Sequence, residues 1–273
     1  MFLLHYRGTR PFGPLLLPPL VLALCGAAPA WAQGDPPESP DAASWNVSLG
    51  GGAMVRPYYL GAKRYKIAPL PFFDVEWNRR VFLSPEGLGA YAINTPDLKL
   101  GLAAGVAGGR NLSHEDAFKG IGNVPTGAMV RLFGSYRFDA FTFNAELERR
   151  IGAVSGTLAE LGVSYGGRLG PRFFYSFGPK LTFADSGYNE GFFGVSEQQS
   201  ADAAAAGRSV PVYHAGAGLR DVAFDLNAGY QLTQHWGLGG RVSVLQLTGD
   251  AADSPFTRSS VQPSAGVFLR YRF

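Results

Sequence analysis

At 273 residues the chain is long enough for one large all-β domain or two ordinary ones, and its 37 glycines, 13% aromatic and 16% charged residues favour the first. A mean hydropathy of +0.02 excludes a helical membrane bundle. The formal net charge of +3 is dispersed through predicted strands and turns instead of forming a basic patch with interleaved aromatics, so nucleic acid is not an expected partner.

The N-terminus reads as an export signal. Arg7 and Arg10 form a positive region, Leu15 to Ala23 an apolar run, and Ala30-Trp31-Ala32 a cleavage site, so residues 1–32 are assigned to a signal peptide. The run is too short for a transmembrane helix and carries Pro18 and Pro19. Leu24 stands where a lipoprotein needs a small residue before Cys25. Cys25 is the only cysteine, so cleavage leaves a mature chain that needs no disulfide. Residues 33–44, rich in Pro, Asp, Glu and Ser, form a flexible periplasmic lead-in.

From Trp45 the pattern has period two. Trp45, Val47, Leu49, Ala53 and Val55 share one face, and after a turn at Arg56 to Lys63 the residues Tyr65, Ile67, Phe73, Val75 and Trp77 form the next, with Lys66, Asp74 and Glu76 opposite. Pro69 and Pro71 remove ladder donors there and mark a bulge or a distorted edge. Val81 to Asn94 is irregular around Ser84-Pro85-Glu86-Gly87. Leu98 to Val106 alternates cleanly, and Arg110 to Pro125 reads as a long polar loop.

The hairpin across Asp139-Ala140 sets Val130, Leu132, Tyr136 and Phe138, then Phe141, Phe143 and Leu147, on one side, with Arg131, Glu146, Glu148 and Arg150 on the other. A second hairpin turns at Gly170-Pro171, a third at Thr233-Gln234-His235. Ala184 to Gly218 and Thr248 to Ser260 are long loops.

In the terminal strand Ala265, Val267, Leu269, Tyr271 and Phe273 face one way and Arg270 and Arg272 the other, which fits lipid outside and water inside. Leu269, Tyr271 and Phe273 resemble the terminal signal read by the barrel-assembly machinery of the outer membrane. About eleven strands can be counted, each near the roughly 9–11 residues that a tilted membrane strand needs. Single-chain bacterial barrels have an even number. The prediction is an all-β, antiparallel up-and-down transmembrane β-barrel over residues 45–273 with twelve strands, ten being the next choice, and with the miscount before Leu98. Aromatics near strand ends support a barrel in lipid over a soluble sandwich, because a closed barrel alone pairs every backbone group there.

On its motifs the chain resembles the MipA/OmpV family of outer-membrane proteins. The matching pieces are Pro57-Tyr58-Tyr59-Leu60-Gly61-Ala62, Pro69-Leu70-Pro71, Gly109-Arg110, Gly120-Ile121-Gly122-Asn123, Phe192-Phe193-Gly194-Val195-Ser196 with Gln199-Ser200, Tyr213 before Ala215-Gly216-Ala217-Gly218, and Leu247 to Pro255. One departure is the alanine-rich run Ala201 to Pro211, which suits a short loop helix. The resemblance implies localisation in the cell outer membrane and a scaffolding role that links a lytic transglycosylase and a penicillin-binding murein synthase. It also makes Phe192, Phe193, Gly194, Val195, Asp250, Asp253, Ser254 and Pro255 candidate binding residues in loops. Family members are also associated with adhesion, stress response and pore behaviour.

The residues themselves point away from catalysis. His114, His214 and His235 have neither metal-ligand spacing nor an accompanying nucleophile motif, so neither an enzyme nor a cofactor or metal centre is expected. Asp250 and Asp253 suit an Asx-turn better than a cation site. Arg131, Glu146, Glu148, Arg150, Lys180, Asp225, Arg241, Arg270 and Arg272 are the expected lumen charges; paired they would plug a narrow interior, and unpaired they would line a small-solute channel.

Overall fold

A computed structural model describes residues 44–273; the assigned signal peptide and nearly all of the lead-in lie outside the described residues. Twelve antiparallel strands close into one barrel in sequence order. They are β1 (Trp45–Pro57), β2 (Tyr65–Trp77), β3 (Val81–Ser84), β4 (Gly87–Asn94), β5 (Leu98–Ala107), β6 (Gly127–Phe138), β7 (Phe141–Ile151), β8 (Gly156–Leu169), β9 (Phe173–Ala184), β10 (Gly218–Gln231), β11 (Trp236–Leu247) and β12 (Val261–Arg272). The strand hidden from the sequence pattern is in Val81 to Asn94. That irregular stretch is a hairpin, whose four-residue β3 is too short to show a period.

Closure joins β1 to β12 in the register Leu49↔Tyr271, Gly51↔Leu269 and Ala53↔Val267. At one end the hairpins are tight. Asn78 and Arg79, at φ 52° and 55°, turn β2 into β3, and the Arg80 N–H donates to the Trp77 carbonyl at 3.0 Å, a type I′ geometry that follows the twist of the strands. At the other end long loops carry three helices, α1 (Ser186–Phe193), α2 (Glu197–Ala205) and α3 (Gly249–Asp253). The alanine-rich run does enter a helix, but α2 begins earlier, at a capping box between Ser196 and Gln199. No helix among the described residues is long and apolar enough to cross a membrane.

The alternation predicted for the strands sets which side chains face outward. Leu49, Val55, Ile67, Leu102, Val130, Leu132, Leu147, Leu226, Val242, Val244, Val267 and Leu269 are exposed on the outer wall, Ile67 to 77%. So continuous an apolar surface is intolerable in water and matches a lipid-facing band. Aromatics crowd its short-turn edge: Trp45 lies 6.2 Å from Trp77, Phe141 5.3 Å from Tyr165, and Trp236 5.0 Å from Tyr271. The girdle is one-sided, since the long-loop edge carries mainly Ile67, Val106, Ile151 and Val261.

Candidate functional site: the lumen and its cap

Inward-facing side chains divide the lumen into two regions. One is ionic. Arg131 on β6 pairs with Glu86 at 3.0 Å and with Glu146 at 3.5 Å, and Lys180 lies 3.1 Å from Glu160 and 4.0 Å from Asp225. Arg241 meets Asp225 at 2.9 Å, and Arg150 meets Glu148 at 2.6 Å. Arg131, Glu146, Lys180, Asp225 and Arg241 are thus joined in pairs or chains between strands, and Arg150 with Glu148 within β7. Arg270 faces inward and lines the main cavity; Arg272 shares its face at the short-turn rim, with its carbonyl 2.9 Å from the His235 ring.

The other region is aromatic. Phe72 stacks on Phe268 at 5.2 Å, while Phe82, Tyr91 and Phe133 form a cluster with centroids 4.8–5.8 Å apart. The parity of the terminal strand puts Phe268 on the inward face with Arg270; the other rings escape the pattern, although Phe133 shares parity with Arg131 and Phe72 with Asp74. A cavity of about 430 Å³ lies between the regions, and a second of about 190 Å³ adjoins it, both lined by Glu86, Arg131, Asn227 and Arg241.

The long-loop mouth is closed by a packed cap. Tyr59 and Ala62 from the β1–β2 loop meet Leu112, Phe118 and Ile121 from the β5–β6 loop, Val195, Ala203 and Val210 from the β9–β10 loop, and Phe256 from the β11–β12 loop. These loops leave the ring on opposite sides, so a core common to all four spans the opening. The expected polar loop at Arg110 to Pro125 thus supplies apolar anchors. Gly120, at φ +98°, sits so close to α2 that a Cβ there would lie 2.5 Å from the Asp202 carbonyl oxygen.

The loop-motif residues are parts of this cap. Phe193 and Val195 are almost wholly buried, and Val195 bridges to Tyr213. The Ser254 hydroxyl donates to the Phe193 carbonyl at 2.6 Å and accepts from the Phe256 N–H at 3.2 Å. The Asp250 carboxylate accepts from the Gly216 N–H at 2.6 Å, and the Tyr213 hydroxyl donates to the Asp250 carbonyl at 2.9 Å. Gly194 ends α1, its N–H donating to the Glu190 carbonyl. Asp253 closes α3, and Pro255 follows Ser254 into the turn. Phe192 stacks on Tyr188 at 4.6 Å beneath Arg150, and its carbonyl accepts from Arg110.

Charges reinforce the cap. The Arg110 guanidinium lies 3.8 Å over the Phe256 ring; burial pushes its pKa down to about 10, with Tyr59 acting in the opposite sense. Burial, and then Glu115, push the Tyr59 phenol well above its ordinary range. Asp185 caps α1. Partial burial would raise its pKa, but bonds from the Tyr188 N–H and from Thr157, with Arg149 nearby, outweigh that and hold it below the usual carboxylate range. Beneath α1 a bulge in β10 at Arg220 sets its Nε 2.5 Å from the fully buried Asp221 and its Nη1 3.0 Å from the Tyr188 hydroxyl.

The histidines are separated. His114 packs on Tyr58 at 4.8 Å, His214 lies 3.1 Å from Glu190, and His235 stacks on Tyr271 at the short-turn rim.

A closed twelve-strand barrel with an apolar outer band, an aromatic girdle, tight turns at one end and long loops at the other is an outer-membrane β-barrel, with the loops outside the cell and the turns in the periplasm. Among curated proteins no sequence matches it significantly. The family model described as MltA-interacting protein MipA matches residues 49–273, and the chain belongs to that family. Similar solved structures include an outer membrane channel from Pseudomonas putida F1, at 11% identity and a TM-score of 0.43 over 91% of this chain and 100% of that one. The outer membrane channel DcaP of Acinetobacter baumannii is similar at 8% identity and a TM-score of 0.38, over 85% of this chain and 97% of that one.

Proposed function

We propose that this protein is an interaction barrel, not an enzyme, and that it holds a lytic transglycosylase and a penicillin-binding murein synthase at the outer membrane through its periplasmic rim. The observation that carries this reading is the cap: four loops share one apolar core over the outer mouth, and ion pairs brace the inner wall below it. A barrel capped at its outer mouth suits anchoring better than passage of solutes along its axis. The family description supports the partner class, since it names MltA as what such proteins interact with. Arg79, Arg80, Arg168 and Arg172 are exposed at the periplasmic turns and offer cations to an acidic partner surface.

The test is a detergent pull-down with the folded barrel immobilised and MltA or a bifunctional murein synthase in solution, using a MipA protein known to bind as positive control. Retention that weakens when the four rim arginines are changed together to glutamate supports the reading. Retention by the control and none by this barrel overturns it. A small-solute channel is the second reading, favoured by the two lumen cavities.

A further inference from the structure

The barrel wall contains a window. β1 pairs with β2 along its whole length, from Tyr65 to Trp77, but on its other flank β2 pairs with β3 only over Val75–Trp77. The β3–β4 hairpin then turns back at Ser84–Gly87. Among the described residues, the flank of β2 from Tyr65 to Asp74 has no strand beside it. The hairpin tip floors this gap. Above it the β5–β6 loop forms a roof, where Arg64 Nη1 donates to the His114 carbonyl at 2.6 Å.

The edge strand is suited to standing open. The Trp77 carbonyl accepts from Arg80 on the β3 side, and alternate residues of an antiparallel strand direct their backbone groups to the same side. Tyr65, Ile67, Pro69, Pro71 and Phe73 therefore direct theirs into the gap. Pro69 and Pro71 remove two donors that would otherwise face lipid unpaired, where a backbone group without a partner is strongly disfavoured. The same prolines discourage another strand from docking there. The hairpin tip is held by Gly87, at φ +131°, where a Cβ would lie 2.2 Å from the Ala104 carbonyl oxygen.

Behind the gap lies the main cavity. Its lining includes Pro71 and Phe73 of the unpaired flank and Ser84 and Pro85 of the tip, and the rings of Phe72, Phe268, Phe82 and Phe133 form its apolar wall. At its far side Arg131, nine-tenths buried, keeps its Nε without a hydrogen-bond partner among the described residues. The chamber is amphipathic, with the rings on one side and Asp74, Glu86, Lys99 and Arg131 among its charged lining, and its volume of about 430 Å³ falls in the size range of small-molecule sites, about 300–1,000 Å³. With the cap above it, the way in from the side is through lipid.

We propose that the window between β2 and the β3–β4 tip admits a single-chain amphiphile from the membrane into the lumen. Its hydrocarbon chain lies on Phe72, Phe268, Phe82 and Phe133, and its hydrogen-bond-accepting head turns toward Arg131. This site is separate from the periplasmic rim, so it stands whether or not murein enzymes bind there.

The full barrel is reconstituted in vesicles containing a diazirine-bearing dodecanoic acid, irradiated, and mapped by mass spectrometry, with heat-shifted gel mobility confirming the fold. The expected result is adducts on inward-facing residues of β2, β3, β6 or β12. Labelling there falls about tenfold in Phe72→Arg, which removes the ring stacked on Phe268 and puts a cation in the path of the hydrocarbon chain, and less in Phe268→Ala, the gentler variant should Phe72→Arg fail to fold. Adducts confined to the outer wall, at Leu102, Leu132 or Leu147, overturn the proposal. So does inward labelling that appears only when residues 33–43 are deleted, because the chain's own lead-in is then the occupant.

Discussion

Phe273 donates its backbone N–H to the Val47 carbonyl at 3.0 Å, so the last residue of the chain is hydrogen-bonded to the first strand. Its ring packs edge-on to Tyr271 at 4.9 Å and is exposed on the outer wall. The seam of the barrel and the aromatic end of β12 are one structure.

Deletion of Phe273 should therefore reduce assembly more than the stability of barrels already closed. The heat-modifiable folded band recovered from outer membranes should fall, while barrels that do insert unfold near the wild-type urea midpoint. Normal insertion of the truncation would refute the role given to this residue.

Asp221→Ala should be among the most damaging single changes in the wall. It strands the Arg220 guanidinium, which now lies 2.5 Å from the Asp221 carboxylate, and breaking a buried pair by removing one partner costs about 3–5 kcal/mol. Urea unfolding in detergent micelles, followed by tryptophan fluorescence, gives the value. Changing Arg220 and Asp221 together to methionine and leucine should recover part of the loss.

Acid should loosen the cap at α1. The Asp185 carboxyl has its folded pKa below the ordinary value of 3.8, so its contribution is complete above that value and is lost as pH falls through the folded pKa. Hydrogen exchange at Tyr188 and Asn189 should quicken below about pH 4. Asp185→Asn should show the faster exchange already at neutral pH and lose most of the acid dependence.

Phe256→Ala removes a fully buried ring from the centre of the cap and the surface on which Arg110 rests. Phe→Ala in a packed core costs about 3–5 kcal/mol, here charged to the cap and not to the strands. Limited proteolysis should cut within 108–126 or 186–215, while the barrel keeps its folded mobility.

Planar-bilayer recordings of the intact protein should show no reproducible conductance steps, and replacement of residues 186–214 by a short Gly/Ser linker should produce them. Steps from the intact barrel would favour the channel reading.

The wall was far more legible in the sequence than what fills and covers it. Period two in Leu98 to Val106 or in Ala265 to Phe273 reflects one physical demand, lipid on one side and water on the other, repeated at every second residue. Val81 to Asn94 escaped because β3 has four residues and its turn, Ser84-Pro85-Glu86-Gly87, breaks the period on which the reading depends. The charges of the lumen could be assigned by parity, and so could Phe268 beside Arg270; Phe72 and Phe133 share that inward parity, but an aromatic ring, unlike a charge, suits a lipid face as well and so does not announce its side. In the cap, Leu112, Phe118 and Ile121 follow no period, because their partners lie on other loops. Phe192 to Ser196 and Leu247 to Pro255 were visible as motifs; that they pack against each other was not.

The cap joins residues almost the full length of the barrel apart, as where the Tyr59 hydroxyl donates to the Phe256 carbonyl at 3.2 Å across 197 positions, or Gln262 donates to the Ala62 carbonyl at 3.1 Å. Contacts between such distant residues form late, after the intervening chain has been placed. The lid cannot set until the first and last hairpins stand side by side, so its protease resistance is a built-in report that the ring has shut, and a stalled barrel would keep its outer loops cleavable.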